Sequence, residues 1–351
     1  MRIVFLASGI RPPGGIQKFS TGFVRALQDL GHEVFVISRD AHVSKLSFVA
    51  ASLFAILRRR PDFVLCGHVA VAPLARIALL LNIPFVVCVY GIEAWSGLRS
   101  IEKSALRKAL TVIAISDFTK EKVSLYSDIP AKSFFMLPPF VDGAEFYIRK
   151  PSEGFMKRSG LLGKKVIFTL ARLSAKEQYK GYDFVLEVLP RLVREIPNLV
   201  YVLAGEGSDI PRIRELARNL NVAGHLVMPG FILAEDILDY YGACDVFVMP
   251  STGEGFGIVF LEAIASGKPA IGGNIDASKE ALRGGELGKL INPHDSEALF
   301  TAIRDDFRAE GTAQKERGEL LRRKALEYYG YEAFRERVAH LVREISESFR
   351  P

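Results

Sequence analysis

The sequence is poor in cysteine, with Cys66, Cys88 and Cys244 the only three in 351 residues. They have no metal-ligand spacing and cannot all pair, which excludes a disulfide framework and points to a reducing compartment. Tryptophan occurs once, at Trp95. No apolar run is long enough to span a membrane: the longest such region, Val69 to Tyr90, is broken by Pro73, Arg76, Asn82 and Pro84 and reads as a helix followed by a strand. The opening MRIVFLASG lacks the long apolar core and small-residue cleavage pattern of a secretory signal, so a cytoplasmic location is expected. There is no low-complexity tract and no short repeat. No nucleic-acid motif occurs, nor basic residues interleaved with aromatics, which leaves nucleic acid out of the expected partners. Gly14-Gly15 follows the first strand, but the third glycine of the dinucleotide fingerprint is missing and no acidic residue ends the second strand. That argues against a nicotinamide enzyme.

What the chain does have is length enough for two domains and the balance of a globular protein, 49% hydrophobic against 25% charged. The net charge of +6 is uneven. Residues 1–150 hold 19 Lys and Arg against 11 Asp and Glu, and the remainder holds 27 against 29. The basic first part points either to an anionic partner, such as a lipid surface, a phosphorylated acceptor or an acidic glycan, or to a basic solvated surface alone.

Strand and helix patterns alternate along the chain. Ile3–Ala7 reads as a buried strand, SGIRPPGGIQKF as a loop, Gln17–Leu30 as a helix closed by Gly31, and HEVFVIS as a second strand. This rhythm predicts a parallel sheet covered by helices. Gly15 then lies at the carboxyl end of the first strand, where open α/β sheets bind ligands. Ser44–Arg60 is amphipathic with a basic end, Arg58-Arg59-Arg60, and reads as a crossover helix in preference to a membrane-surface helix. His68 ends the next strand, facing the same sheet edge as Gly15. Ser116 or Asp117 caps a further helix. Pro151–Gly163 reads as a linker, after which a second α/β series begins at KKVIFTLARLS.

The second series is organised around STGEGFGIVFLEAIASGKPAIGG, Ser251 to Gly273. A strand precedes it, and its centre reads as a buried helix that Gly267 closes and Pro269 stops. Glu254 and Glu262 stand here with seven residues between them. A carboxylate among apolar neighbours needs a partner. For Glu262 that partner is either another protein group or the hydroxyls of a ligand. Gly255 and Gly257 allow a ligand close to backbone N–H groups at a helix N-terminus, a place that favours phosphate. Upstream, Arg172 and Lys180 flank one strand–helix loop, and two cations so placed can clamp a diphosphate.

These residues carry a resemblance. EGFGIVFLEAIASGKPAI, with ARL and KGYD, LAGEGS, VMPGF, the PPGGIQ loop and the DGAEF exit, is similar in order and spacing to the retaining GT-B glycosyltransferases of family four, over nearly the whole chain. The resemblance implies an α/β fold of two Rossmann-like doubly wound domains facing a central cleft: 1–150 on the acceptor side, 151–330 for the nucleotide-sugar donor, and 331–351 as a helix returning to the first domain. It implies that Glu254 touches the donor sugar, that Glu262 holds the ribose hydroxyls, and that backbone N–H groups of Phe256, Gly257 and Ile258 reach sugar and phosphate. Arg172 and Lys180 would neutralise the leaving diphosphate, Phe231 would lie beside the base, and Gly15 would approach the phosphates. Glu93 and Ser116 would line the acceptor side. No cofactor and no metal are implied, and no DxD-type acidic pair stands in a suitable loop. The implied partners are a nucleotide diphosphate sugar and a glycan or glycolipid acceptor of the cell envelope, with peripheral membrane contact through the basic N-terminal domain at the inner face.

The chain departs from the family pattern at two places. Tyr90 stands where many relatives carry a histidine assigned to the transferring sugar and is expected, as a catalytic residue, to donate a hydrogen bond there with different proton chemistry, and Pro139-Phe140 replaces an Asn-Gly before Asp142. The first change bears on donor choice and transfer. The second reads as structural. The competing readings are a nucleotide-sugar epimerase on the same fold, for which no acid–base pair stands out, and a non-catalytic nucleotide-sugar binder, which Tyr90 alone favours.

Overall fold

The structure, a computed structural model, describes residues 1–10, 14–308 and 311–348. Arg11, Pro12 and Pro13, within the expected glycine-rich loop, lie outside the described residues, as does Phe349, the expected end of the last helix. The chain divides into two compact units, 1–140 with 331–351, and 141–330. The division falls at Phe140/Val141, upstream of the expected 150/151.

The first unit is built on six parallel strands, β1 (Arg2–Ala7), β2 (Glu33–Ser38), β3 (Phe63–Cys66), β4 (Phe85–Val89), β5 (Thr111–Ala114) and β6 (Phe134–Met136), in the order β2-β1-β3-β4-β5-β6. Ile3 to Leu6 are fully buried, as the centre of a sheet covered on both faces requires. β1 feeds β2 on one side and the chain then crosses to β3 on the other. The direction of winding therefore reverses between β1 and β3, the kind of point at which open α/β sheets form a binding crevice. The helix Lys45–Arg59 makes that crossing. It starts at Ser44, whose Oγ accepts from the Ser47 N–H at 3.0 Å while Ser47 Oγ accepts from the Ser44 N–H. The segment is a crossover helix, as expected.

The helix Tyr331–Glu347 belongs to this unit. Its Phe334 ring lies edge-on to Phe19 (5.5 Å) and Phe23 (6.1 Å) of the helix Gly15–Asp29. Phe140 lies 4.8 Å from Phe334 and 5.5 Å from Tyr331. The departure at Pro139-Phe140 thus supplies a ring to a packed aromatic cluster.

The second unit holds β7 (Lys165–Leu170), β8 (Leu199–Ala204), β9 (Leu226–Val227), β10 (Val246–Met249), β11 (Ala270–Gly273) and β12 (Lys289–Ile291), all parallel, in the order β12-β11-β10-β7-β8-β9. Here the reversal falls between β7 and β10. The expected linker is not one. Ser152 Oγ accepts from the Phe155 N–H at 3.1 Å and starts a helix, Glu153–Arg158. Phe155 is buried edge-on to Tyr240, with centroids 5.0 Å apart. One capping serine and one apolar anchor outweigh the local Pro, Gly and charge content. The segment before it, 141–150, already belongs to this unit, and Val141 pairs with Gly330 at the unit's other end.

Candidate active site

At the reversal point of the second unit, the carboxyl ends of β7 and β10 carry two loops that hold each other. The Thr252 N–H donates to the Tyr179 carbonyl at 2.8 Å. Lys180 Nζ then pairs with Glu254 Oε2, both side chains 15% exposed. Burial acts to depress the Lys180 ammonium, but Glu254 and Tyr179 outweigh it, and the net shift is upward. The lysine therefore stays charged through neutral pH. Arg172 sits nearby in sequence but in a different setting. It is 73% exposed and pairs with Glu177 at 2.8 Å. Both expected phosphate cations thus already hold a carboxylate.

Two conformations fix these loops. Gly181 adopts φ +78°, and a Cβ there would come within 2.2 Å of the Pro250 carbonyl oxygen. Gly181→Ala is expected to cost about 1–3 kcal/mol from the left-handed backbone alone, with the clash in addition. Thermal unfolding measures that loss, and activity should fall with it because Lys180 is the preceding residue. Gly257, at φ +89°, precedes the helix Ile258–Ala265, and a Cβ there would meet the Phe260 ring at 2.6 Å. The N–H groups that open this helix have no partner within it and form an anion-favouring end. Phe256 is buried edge-on to Tyr329, and Ile258 is half-buried.

Glu262 lies within that helix, 4% exposed, and its Oε2 accepts from the Tyr241 hydroxyl at 2.8 Å. Burial and this carboxylate push the Tyr241 phenol well above its ordinary range. Phe231, after Gly230, is 48% exposed.

In the first unit, Gly15 opens its helix and is exposed. Two expectations need correction. Tyr90 does not present its hydroxyl for a sugar. Its ring is buried edge-on to Phe19 at 5.3 Å, and its hydroxyl donates to the Gly67 carbonyl at 2.9 Å. A phenol placed among core residues turns its polar end to the nearest backbone acceptor. Ser116 does not line an acceptor surface. It is fully buried, and its Oγ accepts from the Thr119 N–H at 3.0 Å as the cap of the helix Asp117–Ser127. Glu93 is half-buried, and its Oε1 accepts from the Tyr90 and Gly91 N–H groups at 2.7 and 3.1 Å, which shapes the turn after β4.

Residues 153–319 match the family described as glycosyl transferases group 1, and residues 13–145 match Glycosyltransferase Family 4. The two matches lie one in each half of the chain, and its two parallel sheets have the fold of the GT-B glycosyltransferases. A GDP-mannose-dependent alpha-(1-6)-phosphatidylinositol monomannoside mannosyltransferase of Mycolicibacterium smegmatis is 31% identical over 245 residues, 66% of this chain and 63% of that protein, so the match spans less than two thirds of its length. A phosphatidyl-myo-inositol mannosyltransferase of the same organism is 29% identical over 325 residues, 83% of this chain and 80% of that one. The crystal structure of Anabaena Alr3699/HepE in complex with UDP superposes with a TM-score of 0.79 at 17% identity, covering 98% of this chain and 100% of that one. That last likeness is one of fold.

In this GT-B fold the supports of the site escaped sequence reasoning. Asp276, fully buried after β11, accepts from Ser251 Oγ (2.8 Å), the Glu254 N–H (2.7 Å) and the Ser278 N–H (2.9 Å). It fastens the loop that carries Glu254. Asp209 accepts from Tyr182 (2.6 Å), Gln178 (3.3 Å) and Arg212 (2.8 Å), tying the segment before Lys180 to the glycine loop after β8. The only signal for Asp276 was an acidic residue just past a strand end. For Asp209 it was a polar residue before a helix proline.

Proposed function

We propose that this protein transfers a hexose from a nucleoside diphosphate sugar to a hydroxyl of a glycan or glycolipid of the cell envelope, with retention at the anomeric carbon. The observation that carries the reading is the Lys180–Glu254 pair beside the open N-terminus of Ile258–Ala265, at the point where the second sheet reverses. The carboxylates and donors there suit a sugar and a diphosphate together. Glu254 and the backbone of Phe256, Gly257 and Ile258 hold the sugar and phosphates. Glu262 takes the ribose hydroxyls, and Phe231 lies beside the base. Glu93 shapes the acceptor side through its hold on the Tyr90–Gly91 turn.

In the reaction the bond from the anomeric carbon to the diphosphate oxygen breaks, and its electron pair leaves with the phosphate. Lys180, assisted by Arg172, meets that growing charge. The acceptor oxygen forms its bond on the same face, and its proton passes to the departing phosphate. The named mannosyltransferase relatives make mannose the first sugar to test, and the UDP complex of the Anabaena structure makes uridine a second base to test beside guanosine. The assay supplies GDP-mannose or UDP-glucose with phosphatidylinositol-type acceptors and reads the product anomer by NMR. An α-linked product from an α-linked donor supports the reading. An inverted product, or an isomerised donor without transfer, overturns it.

A lipid-borne acceptor fits one further surface. Among the described residues no helix is long and apolar enough to cross a membrane. The helix Lys45–Arg59 nonetheless carries Leu46, Ala50, Phe54 and Leu57 at spacings of four, four and three, all exposed, beside the exposed Lys45, Arg58 and Arg59. Leu46 is 81%, Phe54 68% and Leu57 57% exposed. An apolar stripe with basic neighbours suits an anionic lipid surface. Sedimentation with phosphatidylglycerol vesicles should bring the protein down at low salt. The triple change Leu46→Ser, Phe54→Ser and Leu57→Ser should leave it in the supernatant with its melting temperature unchanged.

A further inference from the structure

At the carboxyl edge of the first sheet a histidine stands one strand away from Tyr90. His68 directly follows Gly67 at the end of β3, inside the crevice where the winding reverses between β1 and β3. Its ring centroid is 6.4 Å from that of Tyr90. Tyr90 donates to the carbonyl of Gly67, the residue before His68, so the tyrosine holds the peptide from which the histidine projects.

The proton on the ring can be placed. Nδ1 accepts from the Ala70 N–H at 3.0 Å, so the neutral ring carries its hydrogen on Nε2. Nε2 makes no hydrogen bond to any described residue. The ring is half-buried, which leaves this donor a route to solvent. We infer that His68 Nε2–H donates a hydrogen bond to a sugar hydroxyl in the crevice of the first sheet, and that Tyr90 is the residue that positions it. The inference rests on the sugar-transfer reading above.

Desolvation lowers the ring's proton affinity, against the opposing pull of Glu93 and Glu102, so the ring is neutral at pH 7. A neutral donor suits an uncharged hydroxyl.

His68→Ala should lower kcat/KM about tenfold or more, the scale of one lost substrate hydrogen bond. The Kd for GDP or UDP alone and the melting temperature should stay unchanged. His68→Gln, whose amide nitrogen reaches a similar place, should recover most of the loss, and Tyr90→Phe should reproduce part of it. In the full-length chain, ¹⁵N spectra of the His68 ring should show the Nε2–H form. GDP-mannose or UDP-glucose should shift its resonances, while GDP or UDP alone should not. A loss confined to the KM of the acceptor would place the bonded hydroxyl on the acceptor, and a loss shared by slow donor hydrolysis would place it on the transferring sugar. Wild-type activity that His68→Ala leaves intact overturns the inference and spares the transfer reading. A parallel loss of nucleotide affinity and melting temperature that His68→Gln does not recover marks a structural residue and also overturns it. A ring that neither a sugar nucleotide nor the acceptor shifts overturns it whether or not transfer is detected.

Discussion

Lys180→Ala is expected to lower kcat/KM by on the order of 10²-fold or more, because the charge it meets grows as the diphosphate departs. The residue is 15% exposed, so little water screens it, and its partner Glu254 is equally shielded. Removing the ammonium leaves Glu254 without its cation, beside the position a phosphate would occupy. The variant should therefore also lose affinity for nucleoside diphosphates. Arg172→Ala should do less, since that side chain is 73% exposed and already holds Glu177. Steady-state kinetics on the two variants, side by side, check the ranking. A larger loss at Arg172 would mean that the exposed cation, freed from Glu177, is the principal clamp.

Asp276→Ala is expected to lower both stability and activity. The N–H groups of Glu254 and Ser278 would lose their acceptor, and Ser251 Oγ would keep only Ser278 Oγ, 2.9 Å away. The stability loss should be about 2 kcal/mol, given roughly 1 kcal/mol or more for each of the two donors left unpaired. The activity loss should be on the order of 10²-fold, the scale of a misplacement near 1 Å in a catalytic loop. Asp276→Asn keeps one acceptor and should fall between the wild type and alanine in both denaturant unfolding and rate. If activity survives while stability drops, Asp276 supports the sheet edge and does not position Glu254.

The pattern of buried runs and glycine turns made the two parallel sheets legible, because central strands covered on both faces must be apolar throughout. The place of Glu254 and Lys180, charged residues beside glycines at strand ends, was legible too, but their pairing with each other was not. Direction was not legible. Tyr90 has the composition of a hydroxyl donor, yet the surrounding Phe19 and the Gly67 carbonyl turn it inward. Ser116 carried two roles in the sequence, cap and acceptor contact, and its full burial leaves it the first. The helix Glu153–Arg158 was hidden because its signal is one serine and one phenylalanine among linker-like residues. Asp276 and Asp209 were hidden because a carboxylate that accepts several hydrogen bonds looks, in sequence, like any surface acid.

The central claim is that the carboxyl edge of the second sheet holds a nucleoside diphosphate. Isothermal titration of the full-length protein with GDP and UDP tests it most directly. The expected result is saturable binding of at least one of them, weakened in Lys180→Ala and in Glu262→Gln, with melting temperatures of both variants close to that of the wild type. Binding of neither nucleotide by the folded wild-type protein, or binding that both variants leave untouched, would contradict it.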